Sequence, residues 1–133
     1  MTFDQTVEEF LRLCNHHQVR MILVGGGAVN FHGYQRHSAD VDFWIDISDE
    51  NLDGLKFALN DMGYLFEEYP TGVKSGLQNI SIKISPALDI ELISRFNPGK
   101  TFDEAYPESV VTTLRDNPSV IYRVLQYAGS YQF

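Results

Sequence analysis

Apolar residues near the beginning of the chain follow first a helical and then an extended pattern. They recur at three- and four-residue spacing over residues 3–17, which predicts a first helix. The short apolar run RMILV at 20–24 then stops at three consecutive glycines, as is typical of a buried strand that ends in a tight turn. A short helix over residues 28–32 is expected to follow this turn.

The middle of the chain predicts three further strands and a helix. Apolar and polar residues alternate over 40–45, and Ser48 or Asp49 is suited to cap the helix that comes next. Isoleucines alternate with polar residues over 80–85, and a second extended segment follows at 88–93 after a proline. We expect these two segments to form adjacent antiparallel strands.

The last part of the chain has a weaker pattern. A helical turn is expected over residues 101–106. Asn117 followed by Pro118 is a suitable cap and first position of a helix, so we expect a last helix that ends near Gly129. A strand at residues 120–122 is the alternative for this segment.

Length and element order together predict a single domain that mixes helices and strands. A chain of 133 residues with 44% hydrophobic residues can bury one core, and a two-domain enzyme is excluded. We therefore expect one domain over residues 1–133, with residues 95–133 as the part that the pattern defines least. The order of elements predicts the α/β or α+β class, with helices packed on a small mixed β-sheet.

Charge and cysteine content narrow the classes of function. Ten basic against eighteen acidic residues give a net charge of −8, which argues against extended DNA binding but not against a nucleotide, since Mg²⁺ inverts the local charge. Cys14 is the only cysteine, so no disulfide framework or cysteine zinc cluster is expected. Asp4, Glu8 and Glu9 do not suit a secretory signal, and no apolar run suits a membrane span. We expect a cytoplasmic protein without membrane contact.

Two aspartates on the predicted strand 40–45 carry the most informative chemistry. Successive side chains of a strand point to opposite faces, so Asp40 and Asp42 share one face while Val41 and Phe43 share the other. Their Cα atoms would lie roughly 6–7 Å apart, and their carboxylates could hold divalent ions about 3.5–4 Å apart. Ligands that are oxygen only select Mg²⁺ or Mn²⁺ over zinc.

A third carboxylate is expected from the predicted strand 88–93. Asp89 and Glu91 share one face of this strand, opposite the apolar residues that belong in the core. A carboxylate on a strand about 4.8 Å away can complete a metal site or accept a proton from an attacking hydroxyl. We prefer Asp89 for this role and keep Glu91 as the alternative.

The glycines after the first strand are suited to bind phosphate. Gly25 and Gly26 let the backbone approach a ligand closely, and the N–H groups that open the helix at residue 28 can bind an anion. Between this turn and Asp40, Arg36 is suited either to reach a phosphate or to pair with Asp40 or Asp42. Ser38 is a further candidate for nucleotide binding, although serine more often hydrogen-bonds its own turn.

This combination resembles the nucleotidyltransferase superfamily typified by DNA polymerase β. That superfamily has a strand ending in Gly-Gly or Gly-Ser, then Asp-x-Asp, then a carboxylate on a later strand. The similarity covers residues 19–94 and is greatest to the minimal nucleotidyltransferase and AbiEii-like branch. It is carried by Gly25-Gly26-x-Ala28, His32-Gly33 and Arg36-x-Ser38-x-Asp40-x-Asp42, with Leu88-Asp89-Ile90-Glu91 and Phe102-Asp103-Glu104-Ala105-Tyr106 further on.

The resemblance implies the nucleotidyltransferase fold and the transfer of a nucleoside monophosphate from a nucleoside triphosphate such as ATP to a hydroxyl. It implies that Asp40, Asp42 and Asp89 bind Mg²⁺ or Mn²⁺ and act in catalysis, and that Gly25 and Gly26 line the triphosphate. The acceptor would be a protein, a tRNA or a small molecule.

Two departures from the family pattern lead to an alternative. Gly26 stands where many members have serine, so backbone N–H groups replace a hydroxyl contact to phosphate. Members of the branch usually continue with a helix rich in Lys and Arg, whereas this sequence ends with VIYRVLQYAGSYQF. A protein partner or a second protomer would then supply the cation. The alternative is a truncated, catalytically weak or inactive module of a toxin–antitoxin system that binds a nucleotide or a partner.

Overall fold

Helices and strands follow one another in a mixed order along the chain. The computed structural model of the protein describes residues 3–24, 41–85, 88–114 and 117–125. In chain order these residues form α1 (Phe3–His16), β1 (Met21–Val24), β2 (Val41–Ile45), α2 (Asp49–Asp61), α3 (Thr71–Lys74), β3 (Ile80–Ser85), β4 (Leu88–Ile93), α4 (Phe102–Glu108), β5 (Val110–Leu114) and β6 (Asn117–Val124). The expected helix over 28–32 lies outside the described residues.

The strands form one six-stranded sheet in the order β3-β4-β2-β1-β6-β5. β2 runs parallel to β4, and β1 runs parallel to β6. The other neighbouring pairs are antiparallel. The sheet is therefore mixed, as the sequence predicted, and β3 and β4 are the expected adjacent antiparallel strands.

Helices α1 and α2 cover one face of the sheet and enclose the larger core. Phe10 of α1 is fully buried, and its ring centroid lies 5.9 Å from that of Phe43 on β2. The apolar side chains of α2 join the same cluster, as do Leu23 of β1 and Leu92 of β4. Cys14 is buried in this core, and burial raises the pKa of its thiol well above the usual range. The cysteine is thus a core residue and is not poised as a nucleophile.

The opposite face of the sheet carries a smaller core beneath α4. Ile22, Val24 and Trp44 project from β1 and β2 into this cluster, where they meet Ala105 of α4. Trp44 is only 4% exposed. We call this side of the sheet the second face. Because α4 is short, it covers only part of that face.

The helix boundaries follow from local capping. Ser48 is the N-cap of α2, and its side chain accepts a hydrogen bond from the backbone N–H of Asn51 at 3.3 Å. Thr101 caps α4 in a capping box with Glu104. The helical turn expected over 101–106 is present, and the helix continues to Glu108. Among the described helices, none is long and apolar enough to cross a membrane.

The prediction of a last helix beginning at Asn117 is wrong, because these residues form strand β6. Val120, Tyr122 and Val124 are buried while Ile121 is exposed, which is the two-residue period of a strand. Backbone groups of Ile121 bond the side chain of Asn15 on α1 at 3.0 and 3.1 Å. The alternative, a strand at residues 120–122, is confirmed as part of β6, which pairs with β5, a strand that the sequence did not predict. These contacts with distant residues decide the conformation, and the sequence around Asn117 does not reveal them.

Candidate functional site

A row of paired positions crosses four neighbouring strands on one face of the sheet, and three of its four residues are polar. Asp42 of β2 is in register with Glu91 of the parallel strand β4, and Glu91 is in register with Ser81 of β3. On its other side, Asp42 is in register with Val24 of β1. Side chains at paired positions of neighbouring strands point to the same face, and the strands lie about 4.8 Å apart. The register thus places the carboxylates of Asp42 and Glu91 side by side.

This row lies on the second face, outside the larger core. Asp42 alternates along β2 with Val41 and Phe43, which are buried against α1 and α2. Glu91 alternates in the same way with buried Ile90 and Leu92. Both carboxylate residues are half-buried. They lie beside the smaller core, because Trp44 follows Asp42 on the same face of β2.

The carboxylate pair lies level with the carboxyl end of β1. Val24 is the last residue of this strand and pairs with Asp42, and the glycines at 25–26 follow it directly in sequence. Five predicted site residues lie outside the described residues: Gly25, Gly26, Arg36, Ser38 and Asp40. The register therefore brings Asp42 to the strand end from which the glycine segment departs.

Asp89, the preferred third carboxylate, lies on β4 two residues before Glu91. Its backbone is in register with that of Lys83 on β3, and its side chain is not among those described. The residue that the structure places beside Asp42 is Glu91, which was the alternative candidate. The choice between Asp89 and Glu91 as the third ligand stays a prediction.

The described carboxylates have the donor chemistry that Mg²⁺ requires. Magnesium is usually held by one or two carboxylates together with waters and substrate phosphates, so Asp42 and Glu91 fit as protein ligands. Within the described part of the chain, no group of three or more histidine, cysteine, aspartate or glutamate side chains could hold a metal ion. A site with a third protein ligand would need Asp40 or the side chain of Asp89.

Arg20, which lies near the glycine segment in sequence, is engaged at the other end of β1. Its guanidinium forms ion pairs with Asp46 at 2.9 Å and with Asp103 at 3.2 Å. It also lies 4.8 Å from the ring centroid of Tyr106. Arg20 precedes β1, whereas Asp42 pairs with the last residue of that strand. Arg20 therefore joins the residue after β2 to α4, at the end of β1 away from the carboxylate pair.

Comparison with known proteins adds no relative from which to transfer a function. No family model matches the sequence, and neither the curated proteins nor the solved structures gave a match. The arguments that follow rest on the residues and on the geometry.

Proposed function

We propose that the protein is a Mg²⁺-dependent nucleotidyltransferase that moves a nucleoside monophosphate from a nucleoside triphosphate to an acceptor hydroxyl. The observation that carries the proposal is the register of Asp42 with both Glu91 and Val24. It groups two carboxylates on one sheet face, beside the strand end that leads into the glycine segment. Carboxylates beside a phosphate-binding turn are what metal-assisted phosphoryl transfer requires.

The site residues would bind the triphosphate, hold the metal or accept a proton, and Asp89 is a candidate for the last two tasks. The glycine backbone N–H groups at 25–26 would bind the triphosphate, and Asp42 with Glu91, together with Asp40 and Asp89, would hold the metal. Bound Mg²⁺ supplies charge compensation for the phosphates and lowers the pKa of the attacking hydroxyl. The acceptor oxygen forms a bond to the α-phosphorus, the bond from that phosphorus to the bridging oxygen breaks, and pyrophosphate leaves. The hydroxyl proton passes to a carboxylate, for which Asp89 is the preferred candidate.

The proposal is tested by transfer of label from α-³²P nucleoside triphosphates in the presence of Mg²⁺ and a cell lysate that supplies acceptors. We expect Asp42→Asn to lower the labelling rate by about a hundredfold or more, the range seen when an acid–base or charge-stabilising group is removed. Asp53→Asn is the matched control. Asp53 is exposed on α2, the helix that packs on the opposite face of the sheet from the carboxylate pair.

Labelling that is equal in wild type, Asp42→Asn and Asp53→Asn protein would overturn the assignment of catalysis to this pair. Calorimetry separates the remaining outcomes. Binding of nucleoside triphosphate with Mg²⁺ but without pyrophosphate release for any acceptor would instead support a nucleotide-binding module that does not catalyse transfer.

A further inference from the structure

A cleft opens at the carboxyl ends of β2 and β4. Its volume is about 300 Å³, which is within the range of small-molecule sites. Trp44 of β2 lines the cleft, as does Asp46, the residue that follows this strand. Arg95 lines it from the segment after β4. Trp44 pairs with Ile93 in the row next to that of Asp42 and Glu91. The cleft and the carboxylate pair are thus separate features of the second face.

The topology of the sheet explains why a cleft forms here. β2 and β4 are adjacent and parallel, so both end at the same edge of the sheet. After β2 the chain passes to α2 on the face of the larger core, whereas after β4 it passes to α4 on the second face. Where the connections of two neighbouring parallel strands leave to opposite faces, a crevice remains between them, and ligands of open α/β sheets bind in such crevices.

Aromatic rings form the apolar part of the cleft. The ring centroid of Trp44 lies 5.3 Å from that of Phe96 and 5.2 Å from that of Phe102. Trp44 is almost fully buried, whereas Phe96 and Phe102 are half-buried. Tyr106 and the Arg20 guanidinium already cover part of Phe102, since they lie 5.5 and 5.3 Å from its ring centroid. The exposed part of Phe96 and the remaining exposed part of Phe102 offer surface to a flat ring, and Trp44 packs against both phenylalanines.

The two charged side chains that line the cleft, Asp46 and Arg95, differ in the partners that they have among the described residues. Asp46 accepts hydrogen bonds from Arg20 at 2.9 Å and from the hydroxyl and backbone N–H of Ser48 at 3.1 and 3.2 Å. Its negative charge is therefore neutralised locally. Arg95 is exposed, and no ion pair joins it to another described residue. An arginine beside aromatic rings favours a ligand that combines an anion with a planar ring.

We infer that this cleft binds a small ligand in which a planar aromatic ring carries one anionic group, a phosphate or a carboxylate. Arg95 binds the anion, while Phe96 and Phe102 contact the ring. The inference is independent of the proposed transferase activity, because it uses neither Mg²⁺ nor the carboxylate pair. Phosphate and carboxylate share the chemistry that Arg95 recognises, and different probes separate them.

The test is a titration of tryptophan fluorescence, because Trp44 is the only tryptophan of the chain and lines the cleft. The probes are phenyl phosphate and benzoate, which carry the two anions on the same ring, compared with benzamide, which lacks the anion, and ribose 5-phosphate, which lacks the aromatic ring. All titrations are done without Mg²⁺. We expect at least one of the first two probes to bind saturably and about tenfold or more tightly than the last two. The tighter of the two identifies the anion.

Variants then locate the bound probe. We expect Arg95→Gln to weaken binding by about tenfold or more, because a charge-assisted contact is lost. Arg12→Gln is the matched control, since Arg12 is exposed on α1, and Asp42→Asn should also bind as wild type does. The inference is overturned if no probe binds, if Arg95→Gln binds as tightly as wild type, or if only Asp42→Asn loses binding. Loss of transferase activity with binding retained would affect the proposed function alone.

Discussion

Asn51 is a buried amide that joins the beginning of β1 to the residue after β2. It is 5% exposed, and its Oδ1 accepts a hydrogen bond from the backbone N–H of Arg20 at 2.6 Å. Its Nδ2 donates to the carbonyl oxygens of Arg20 at 3.0 Å and of Asp46 at 2.7 Å. One side chain thus bonds three backbone groups, of which the carbonyl oxygen of Arg20 also accepts from the backbone N–H of Asp46 at 3.4 Å. Such bonding is how buried polar groups are tolerated.

The first prediction concerns this residue. Asn51→Ala should lower the free energy of unfolding by about 3 kcal/mol, because it removes a buried side chain and its three hydrogen bonds to the backbone. Urea denaturation followed by circular dichroism measures the change. Asn97→Ala, which loses only an exposed hydrogen bond from the backbone N–H of Gly99 at 3.2 Å, should change the value by about 1 kcal/mol or less. Equal effects of the two substitutions would contradict the role given to Asn51.

At the scale of elements, short-range patterns define the helices and one strand pair. The spacing of apolar residues predicted α1 and α2, and the alternation at 80–85 and 88–93 predicted β3 and β4, because each signal is complete within a few residues. For β6 the pattern left a helix and a strand open, because the partners of this strand are distant in sequence: Leu23 on β1 is in register with Val124. Side-chain parity predicted which carboxylates share a face of their own strand. The register of Asp42 with Glu91 depends on long-range pairing and was therefore beyond the sequence pattern.

Helix α4 provides a prediction at this scale, because it depends on its capping box. Thr101 Oγ1 accepts from the backbone N–H of Glu104 at 3.2 Å, and Glu104 accepts from the backbone N–H of Thr101 at 2.8 Å. Thr101→Ala should lower the free energy of unfolding by about 1 kcal/mol. Thr71→Ala, at an exposed position on α3, is the control for the loss of a threonine without this cap. Urea denaturation again provides the measurement.

The same capping box makes the stability of the folded protein depend on pH. Hydrogen bonds from the backbone and then the side chain of Thr101 lower the pKa of Glu104. A carboxylate whose pKa is lower in the folded state stabilises that state above its unfolded pKa, and the contribution is lost as the pH falls through the folded value. The stability of the wild type should therefore fall below about pH 4, and Glu104→Gln should reduce that fall. An identical acid limb in the two proteins would show that Glu104 does not contribute.

At the scale of the whole molecule, the two faces of the sheet differ in how completely helices cover them. One face is closed by α1 and α2 over the larger core, whereas α4 covers only part of the second face. Polar side chains such as those of Asp42 and Glu91 lie on the second face and are therefore not buried in the larger core. A ligand on the second face can contact these carboxylates without opening the larger core. Because such a ligand binds the folded state, its binding should stabilise that state.

This coupling gives the last prediction, in which the thermal stability of the whole protein tests the proposed Mg²⁺ site. A ligand that binds only the folded state stabilises it by RT ln(1 + [L]/Kd), which is about 1.4 kcal/mol at ten times Kd. For a chain of this size Mg²⁺ should then raise the melting temperature by about 4–6 °C relative to NaCl of equal ionic strength. Asp42→Asn and Glu91→Gln should lose most of this increase, whereas Asp53→Asn should retain it. If the first two variants respond to Mg²⁺ as wild type does, the metal does not bind at these carboxylates, because a general effect of the salt would act on all four proteins alike.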